Sequence, residues 1–328
     1  MPPDTQIPRR TFLKAAAVTA GAVGLANAMP DDAQASGGSP EELAHEHFAD
    51  RSMLIDITKC VGCGKCVTAC KFENDLEWRE DQPAEGPDAR LASENYSVVR
   101  TVGVAPDETS GTGSWQDEAP RRRSEQRYVR QQCMHCLEPA CVSACFVAAL
   151  TKSPEGNIVY DGDMCVGCRY CQMACPFSVP AFEWDETFGR IRKCDLCYER
   201  ALRGEPTACS EACPTGAITF GHRGDLLEEA WARIDAHPGA YVRHVYGETE
   251  VGGTSVLYLS DVPFEELGFR TELPTEPLPS YTWEITRLLP PIATGLGAML
   301  TTLWLRRRRI LAKRGEHLPE QEAEGVTS

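Results

Sequence analysis

Cys60-Val-Gly-Cys63-Gly-Lys-Cys66-Val-Thr-Ala-Cys70 governs the reading of the chain, because its spacing returns at Cys165-Val-Gly-Cys168-Arg-Tyr-Cys171-Gln-Met-Ala-Cys175. Both are C-x2-C-x2-C-x3-C, and Pro176 follows the second. Two more groups share the C-x2-C opening and C-x3-C ending. One is Cys133-Met-His-Cys136 with Cys141 and Cys145; the other is Cys194-Asp-Leu-Cys197 with Cys209 and Cys213-Pro214. All sixteen cysteines of the 328 residues lie between Cys60 and Cys213, four to a group, with none left over.

Four thiolates per group suit a [4Fe–4S] cluster, in which one tight loop gives three ligands and a remote position gives the fourth. The C-x3-C-Pro ending completes the bacterial ferredoxin run. Structural zinc also uses paired C-x2-C knuckles, but seldom with a third C-x2-C step. A disulfide framework is the other alternative in an exported chain. Gly62 and Gly64 let the backbone wrap closely, since glycine accepts positive φ.

The N-terminus bears on that choice. Arg9-Arg10-Thr-Phe12-Leu13-Lys14 is a twin-arginine segment, followed by a mild apolar run from Ala15 to Met29. Small-residue cleavage sites follow Ala28 and Ala35, and a signal peptide over residues 1–35 is expected. A route that exports folded, cofactor-loaded proteins removes the conflict between metal clusters and an oxidising compartment. A net charge of -15 leaves no basic face for nucleic acid. No Ser–His–Asp arrangement, phosphate loop or persuasive carboxylate pair is present, so no catalytic residue is assigned.

Residues 36–51 form a polar lead-in, and residues 52–222 the cysteine domain. Strands are expected at Met53–Ile57, Tyr96–Val104, Tyr128–Arg130, Ile158–Asp161 and Ala217–Phe220. The insertion over residues 71–127 either meets a partner or forms a solvent-covered loop. The repeated order of strand, knuckle and short helix implies duplication about a pseudo-twofold axis. The fold class is therefore α+β, with tandem ferredoxin-like modules. Residues 223–280 add an amphipathic helix, Asp225–Ala236, and a strand at Ser255–Leu259.

Around the knuckles, positive charge at Lys65, Arg169 and Lys193 would raise a cluster's potential; alternatively these side chains point to water or pair with carboxylates. His135 sits within Cys133-x2-Cys136 and invites a ligand role, but with four thiolates already available it is expected to pack or hydrogen-bond behind them. Phe182, Trp184 and Phe188 read as core or interface.

At the C-terminal end, Leu288–Leu305 holds no charge and Arg306–Arg309 follows at once. A single kinked transmembrane helix over residues 281–305 is expected, with Trp283 and Trp304 at the interfaces and the 306–328 tail in the cytoplasm.

The chain resembles the four-cluster β subunits of membrane-bound oxidoreductases, such as those serving formate dehydrogenase, dimethyl sulfoxide reductase and polysulfide reductase. More closely, it resembles the hydrogenase-2 operon iron–sulfur proteins. The resemblance rests on Arg9, Gln132-Cys133-Met-His-Cys136, Cys168-Arg169-Tyr170-Cys171, Gly216-Ala217-Ile218 and Gly252-Gly253-Thr254. It implies four [4Fe–4S] clusters: one on Cys60, Cys63, Cys66 and Cys213, and a second on Cys194, Cys197, Cys209 and Cys70. A third would use Cys133, Cys136, Cys141 and Cys175, and a fourth Cys165, Cys168, Cys171 and Cys145. It also implies a periplasm-facing electron relay between [NiFe] hydrogenase small and large subunits and an integral-membrane quinone-interacting subunit. The same relay serving a molybdopterin oxidoreductase is the alternative, and a membrane-tethered zinc or disulfide scaffold is an alternative of another class. One departure stands out: Phe146 follows Cys145 where the family has proline, which puts local helix termination in doubt.

Overall fold

The computed structural model describes residues 47–104 and 126–314. The twin-arginine segment, the cleavage sites and the last fourteen residues lie outside the described residues. Two units are present, one ending at Tyr281 and the other beginning at Thr282.

The first unit opens with β1 (Arg51–Asp56), α1 (Lys65–Glu73), β2 (Glu85–Gly86), β3 (Ser97–Gly103) and β4 (Gln126–Gln132). Next come α2 (Ala140–Ser143), β5 (Leu150–Lys152), β6 (Ile158–Tyr160), α3 (Tyr170–Ala174), β7 (Ala181–Phe182) and β8 (Ile191–Arg192). It continues through α4 (Tyr198–Leu202), α5 (Ala208–Glu211), β9 (Ile218–His222), α6 (Arg223–Ala236) and β10 (Val256–Leu259).

β1 is the centre of a three-stranded sheet, parallel to β10 and antiparallel to β9. Its run Met53-Leu54-Ile55 is apolar throughout because both faces are covered, as strand alternation requires. Met53 and Ile55 enter the main core with Val256 and Tyr258. Leu54, with Leu257 and Leu259, meets Leu226, Ala230 and Ile234 of α6 on the other face. The strand ends at Asp56, whose fully buried carboxylate accepts from Thr58, Arg233 and Tyr241. That end delivers the chain to Cys60.

The described part of the insertion is neither a solvent-covered loop nor a free arm. β3 and β4 pair antiparallel from Ser97↔Gln132 to Gly103↔Gln126, and β2 joins β3 in parallel. Val98 and Val99 are buried in the main core with Ala84 and Ala89. β-Branched residues fill this hairpin, as a half-buried pleated surface favours. Two small antiparallel hairpins, β5–β6 and β7–β8, sit beside α2 and α3. With the family models reported below, these elements form tandem ferredoxin-type modules.

The C-terminal segment departs from the expected single span. α7 (Leu278–Thr286) stops before Arg287-Leu288, and α8 (Leu289–Arg314) starts afresh with Pro290 and Pro291 in its first turn. Proline is tolerated there because first-turn N–H groups have no helical partner. The apolar part of α8 ends at Leu305 and covers about 25 Å, against a hydrocarbon core of about 30 Å. Among the described residues no helix is long and apolar enough to cross a membrane.

Near β10, His244 Nε2 and Glu250 Oε1 lie 2.8 Å apart, and Glu250 also accepts the Gly247 N–H. The hydrogen bond to Glu250 raises the His244 pKa above its usual 6.5. Burial opposes ionisation of Glu250, but His244 and backbone N–H groups hold it below 4.5. These two shifts describe one interaction. The histidine contribution is complete below about pH 6.5 and fades as pH rises through its folded value; the glutamate contribution is complete above about pH 4.5 and fades as pH falls. Accordingly, His244→Gln should lose stability relative to wild type most between about pH 4.5 and 6.5. The gap should narrow on going to pH 8.5 in thermal melts; a gap that stays constant with pH contradicts the pairing.

Candidate functional site

Each cysteine group starts in the same strained turn. The residue two places after the first cysteine has positive φ in all four groups: Gly62 at 69°, His135 at 48°, Gly167 at 68° and Leu196 at 60°. This turn aims backbone N–H groups inward, a geometry that suits anions. Gly167 N–H lies 3.4 Å from Cys165 Sγ and Leu196 N–H lies 3.3 Å from Cys194 Sγ. Gly62 N–H bonds Cys60 likewise. At Gly62 the turn also permits close packing, since a Cβ there would lie 2.4 Å from the Tyr128 ring.

The groups end in a second shared device. The last two cysteines of each group are four residues apart, one helical turn, and straddle a short helix or its end. Cys66 and Cys70 lie on α1; Cys141 lies on α2 with Cys145 just beyond, Cys171 on α3 with Cys175 at its end, and Cys209 on α5 with Cys213 just beyond. After the fourth cysteine the chain turns through a positive-φ residue whose N–H returns to the cysteine carbonyl. Ala148, Ser178 and Gly216 make this turn for Cys145, Cys175 and Cys213. Phe146 therefore leaves helix termination as Pro176 and Pro214 do; its own ring is 68% exposed.

The sixteen cysteines are free thiols. Cys60, Cys63, Cys66 and Cys213 line one cavity, and Cys70, Cys194, Cys197 and Cys209 line another. Cys136 has Cys175, Cys141 and Cys133 as its charged neighbours, and Cys171 has Cys145, Cys165 and Cys168. Adjacent sets share walls. Arg130 lines both of the first two cavities, Cys194 packs in one cluster with Cys133, and Cys141 packs in one cluster with Cys171. Each set thus adjoins the next.

Burial pushes the Cys60 and Cys70 thiols up to about 11 and the Cys141 and Cys197 thiols up to about 12, and neighbouring thiolates add to each shift. Cys136 and Cys194 are raised well above the usual thiol range for the same reasons. Cys213 is the reverse: burial opposes ionisation, but Thr215 and the N–H groups of Thr215, Ala217 and Ile218 hold it down. Four adjoining buried thiols ionise together only when a cationic centre takes their charge. Among the described residues no three His, Cys, Asp or Glu side chains are grouped to hold a single metal ion. All-sulfur donor sets, met by N–H groups of the opening turns at Cys165 and Cys194, fit a polynuclear iron–sulfur cluster.

Among the flagged cations, Lys65 and Arg169 are exposed, and the Arg169 guanidinium stacks on Phe182 and Trp184. Lys193 is buried, donating to the carbonyls of Ile158 and Cys194 at 2.5 and 2.8 Å. His135 is fully buried, and its Nδ1 accepts the Ile158 N–H at 3.0 Å. Burial and nearby Lys193 hold its ring well below the usual histidine pKa. Sequence reasoning missed Arg130. It is 2% exposed and lines both the Cys60 and the Cys70 cavities. It sits in β4, outside every knuckle, and only the β3–β4 pairing carries it there.

Residues 124–223 match the model for a 4Fe-4S dicluster domain and residues 53–73 that for a 4Fe-4S binding domain. Hydrogenase-2 operon protein HybA of Escherichia coli O157:H7 is 38% identical over 285 residues, covering 79% of this chain and 82% of its own length. The chain belongs to the HybA-like family of 4Fe–4S electron-transfer subunits. A protein of Nitratidesulfovibrio vulgaris is 41% identical over 84% of this chain and 70% of its own. The iron-sulfur subunit of the nitrate-inducible formate dehydrogenase of Escherichia coli K12 is 32% identical over 67% of this chain and 71% of its own. This HybA-like chain is therefore also related to β subunits of molybdopterin oxidoreductases.

The crowding at the first knuckle is testable. Gly204 also has positive φ, 72°, but open space around its Cα. Gly204→Ala should cost about 1–2 kcal/mol, the left-handed penalty alone. Gly62→Ala should cost clearly more in denaturation of the full chain, because it adds the collision with Tyr128. Equal losses would show that Tyr128 does not close over this turn.

Proposed function

We propose that each thiol set holds one [4Fe–4S] cluster and that the chain relays electrons without substrate chemistry of its own. The gathering of sixteen free thiols into four adjoining sets, each sharing a wall with the next, carries this reading. The ligands are Cys60, Cys63, Cys66 and Cys213; Cys194, Cys197, Cys209 and Cys70; Cys133, Cys136, Cys141 and Cys175; and Cys165, Cys168, Cys171 and Cys145. Bound clusters would supply one-electron storage, over potentials that span about -700 to +450 mV in this class. The chain's own residues fix the sulfurs on short helices, turn N–H groups toward them and exclude water with an apolar wall.

The partners are proposed as a [NiFe] hydrogenase on one side and a quinone-interacting integral-membrane subunit on the other. The high coverage of the HybA relative supports this. The formate dehydrogenase relative supports a second reading, in which the catalytic partner is a molybdopterin enzyme. Arg9-Arg10 supports twin-arginine export. Exposed Leu296, Met299, Leu300 and Leu303, followed by Arg306–Arg309, support seating of residues 281–305 at the cytoplasmic membrane, with the body periplasmic and the tail cytoplasmic. Because α8 alone is short, α7 shares that role in this reading.

Cross-pairing gives a direct test. Cys213→Ser should remove about four irons and the same spectroscopic signal as Cys63→Ser, although these residues come from different groups. A Cys213→Ser spectrum matching Cys194→Ser instead would contradict the pairing. The full chain isolated anaerobically from source membranes should bring down hydrogenase large and small subunits. A molybdopterin subunit would select the second reading, and neither would overturn both.

A further inference from the structure

Among the described residues Arg130 is a buried cation with no carboxylate partner. Its guanidinium side chain lines both the Cys60 and the Cys70 cavities and has as charged neighbours Cys66 of the first set and Cys70, Cys194 and Cys209 of the second. Nη1 lies 3.5 Å from Met53 Sδ, and Nε has no hydrogen-bond partner among the described residues. The backbone is pinned where Tyr258 donates its hydroxyl to the Arg130 carbonyl at 3.0 Å. Burying an unpaired ion is costly, and breaking a buried pair leaves such an ion behind. Nothing on the carboxylate side balances this one among the described residues, so its counter-charge must come from sulfur.

We infer that Arg130 is the shared counter-ion of the Cys60 and Cys70 sets and holds the reduction potentials of both above their values without it. This rests on the cluster reading above. On reduction one electron, from the redox partner or from dithionite in a titration, enters a site and makes it more negative by one charge. Arg130 keeps its proton throughout, and its fixed charge favours the reduced form. Lining both cavities, it acts on two sites at once and leaves the sets built on Cys133 and Cys165 to other groups. It is a positioning and electrostatic residue, not a ligand.

The test is an EPR-monitored potentiometric titration of the iron-loaded full chain, with signals assigned through Cys→Ser variants of each set. In Arg130→Met, the reduced-to-oxidised ratio of the Cys60 and Cys70 clusters at a fixed potential should fall at least tenfold, or 59 mV for one electron. The other two clusters should not move. Arg130→Lys, which keeps the charge, should stay within about threefold of wild type at all four. Unmoved potentials in Arg130→Met, an equal fall in all four, or a tenfold fall in Arg130→Lys would overturn the inference. Should Arg130→Met fail to retain iron, Arg130→Lys decides: full iron with unmoved potentials supports it, and lost iron overturns it. Wild-type protein without iron would instead sink the cluster reading itself.

Discussion

The one-turn step between the last two cysteines of every group ties the structure together. Four residues of helix move a side chain along one face by about 6 Å. Each short helix can thus offer one thiol to one set and the next thiol to its neighbour. α1 and α5 do this for the Cys60 and Cys70 sets, and α2 and α3 for the other two. The opening turn of each group supplies the remaining thiols from a positive-φ loop. Two simple devices, repeated four times, yield four adjoining sulfur-lined sites.

Electrostatics sharpens that arrangement. Burial and mutual repulsion resist ionisation of clustered thiols, so the fold alone does not favour sixteen thiolates. Inward N–H groups offset part of the cost, most clearly at Cys213. Arg130 offsets another part from a strand that the Tyr258 hydroxyl and the β3 pairing hold in place. The HybA-like chain therefore stores positive charge beside its sulfurs before any cofactor is considered.

Much of this was legible in the residues. The knuckle spacing announced the sites, and the strands at Met53, Ile158 and Val256 followed from runs of branched and aromatic side chains. Periodicity also gave α6, whose buried face is Leu226, Ala230 and Ile234. The hidden parts depended on long-range pairing. Nothing local marks Arg130, because its neighbours in space come from α1 and α5 as well as from β4. The strand at Tyr96–Val104 was legible inside the insertion, but its pairing with Gln126–Gln132 and the burial of Val98 and Val99 in the main core were not. The break in the C-terminal segment was not legible from its apolar count: Pro290-Pro291 begins a helix instead of kinking one.

The central claim is that four separate thiol sets each hold a cubane cluster. Mössbauer spectroscopy of the full chain loaded with iron-57 and purified anaerobically tests this most directly, because it counts iron by chemical environment. The account expects about sixteen irons per chain, all in [4Fe–4S] environments. Iron in isolated tetrathiolate sites, or zinc in place of iron, would contradict it.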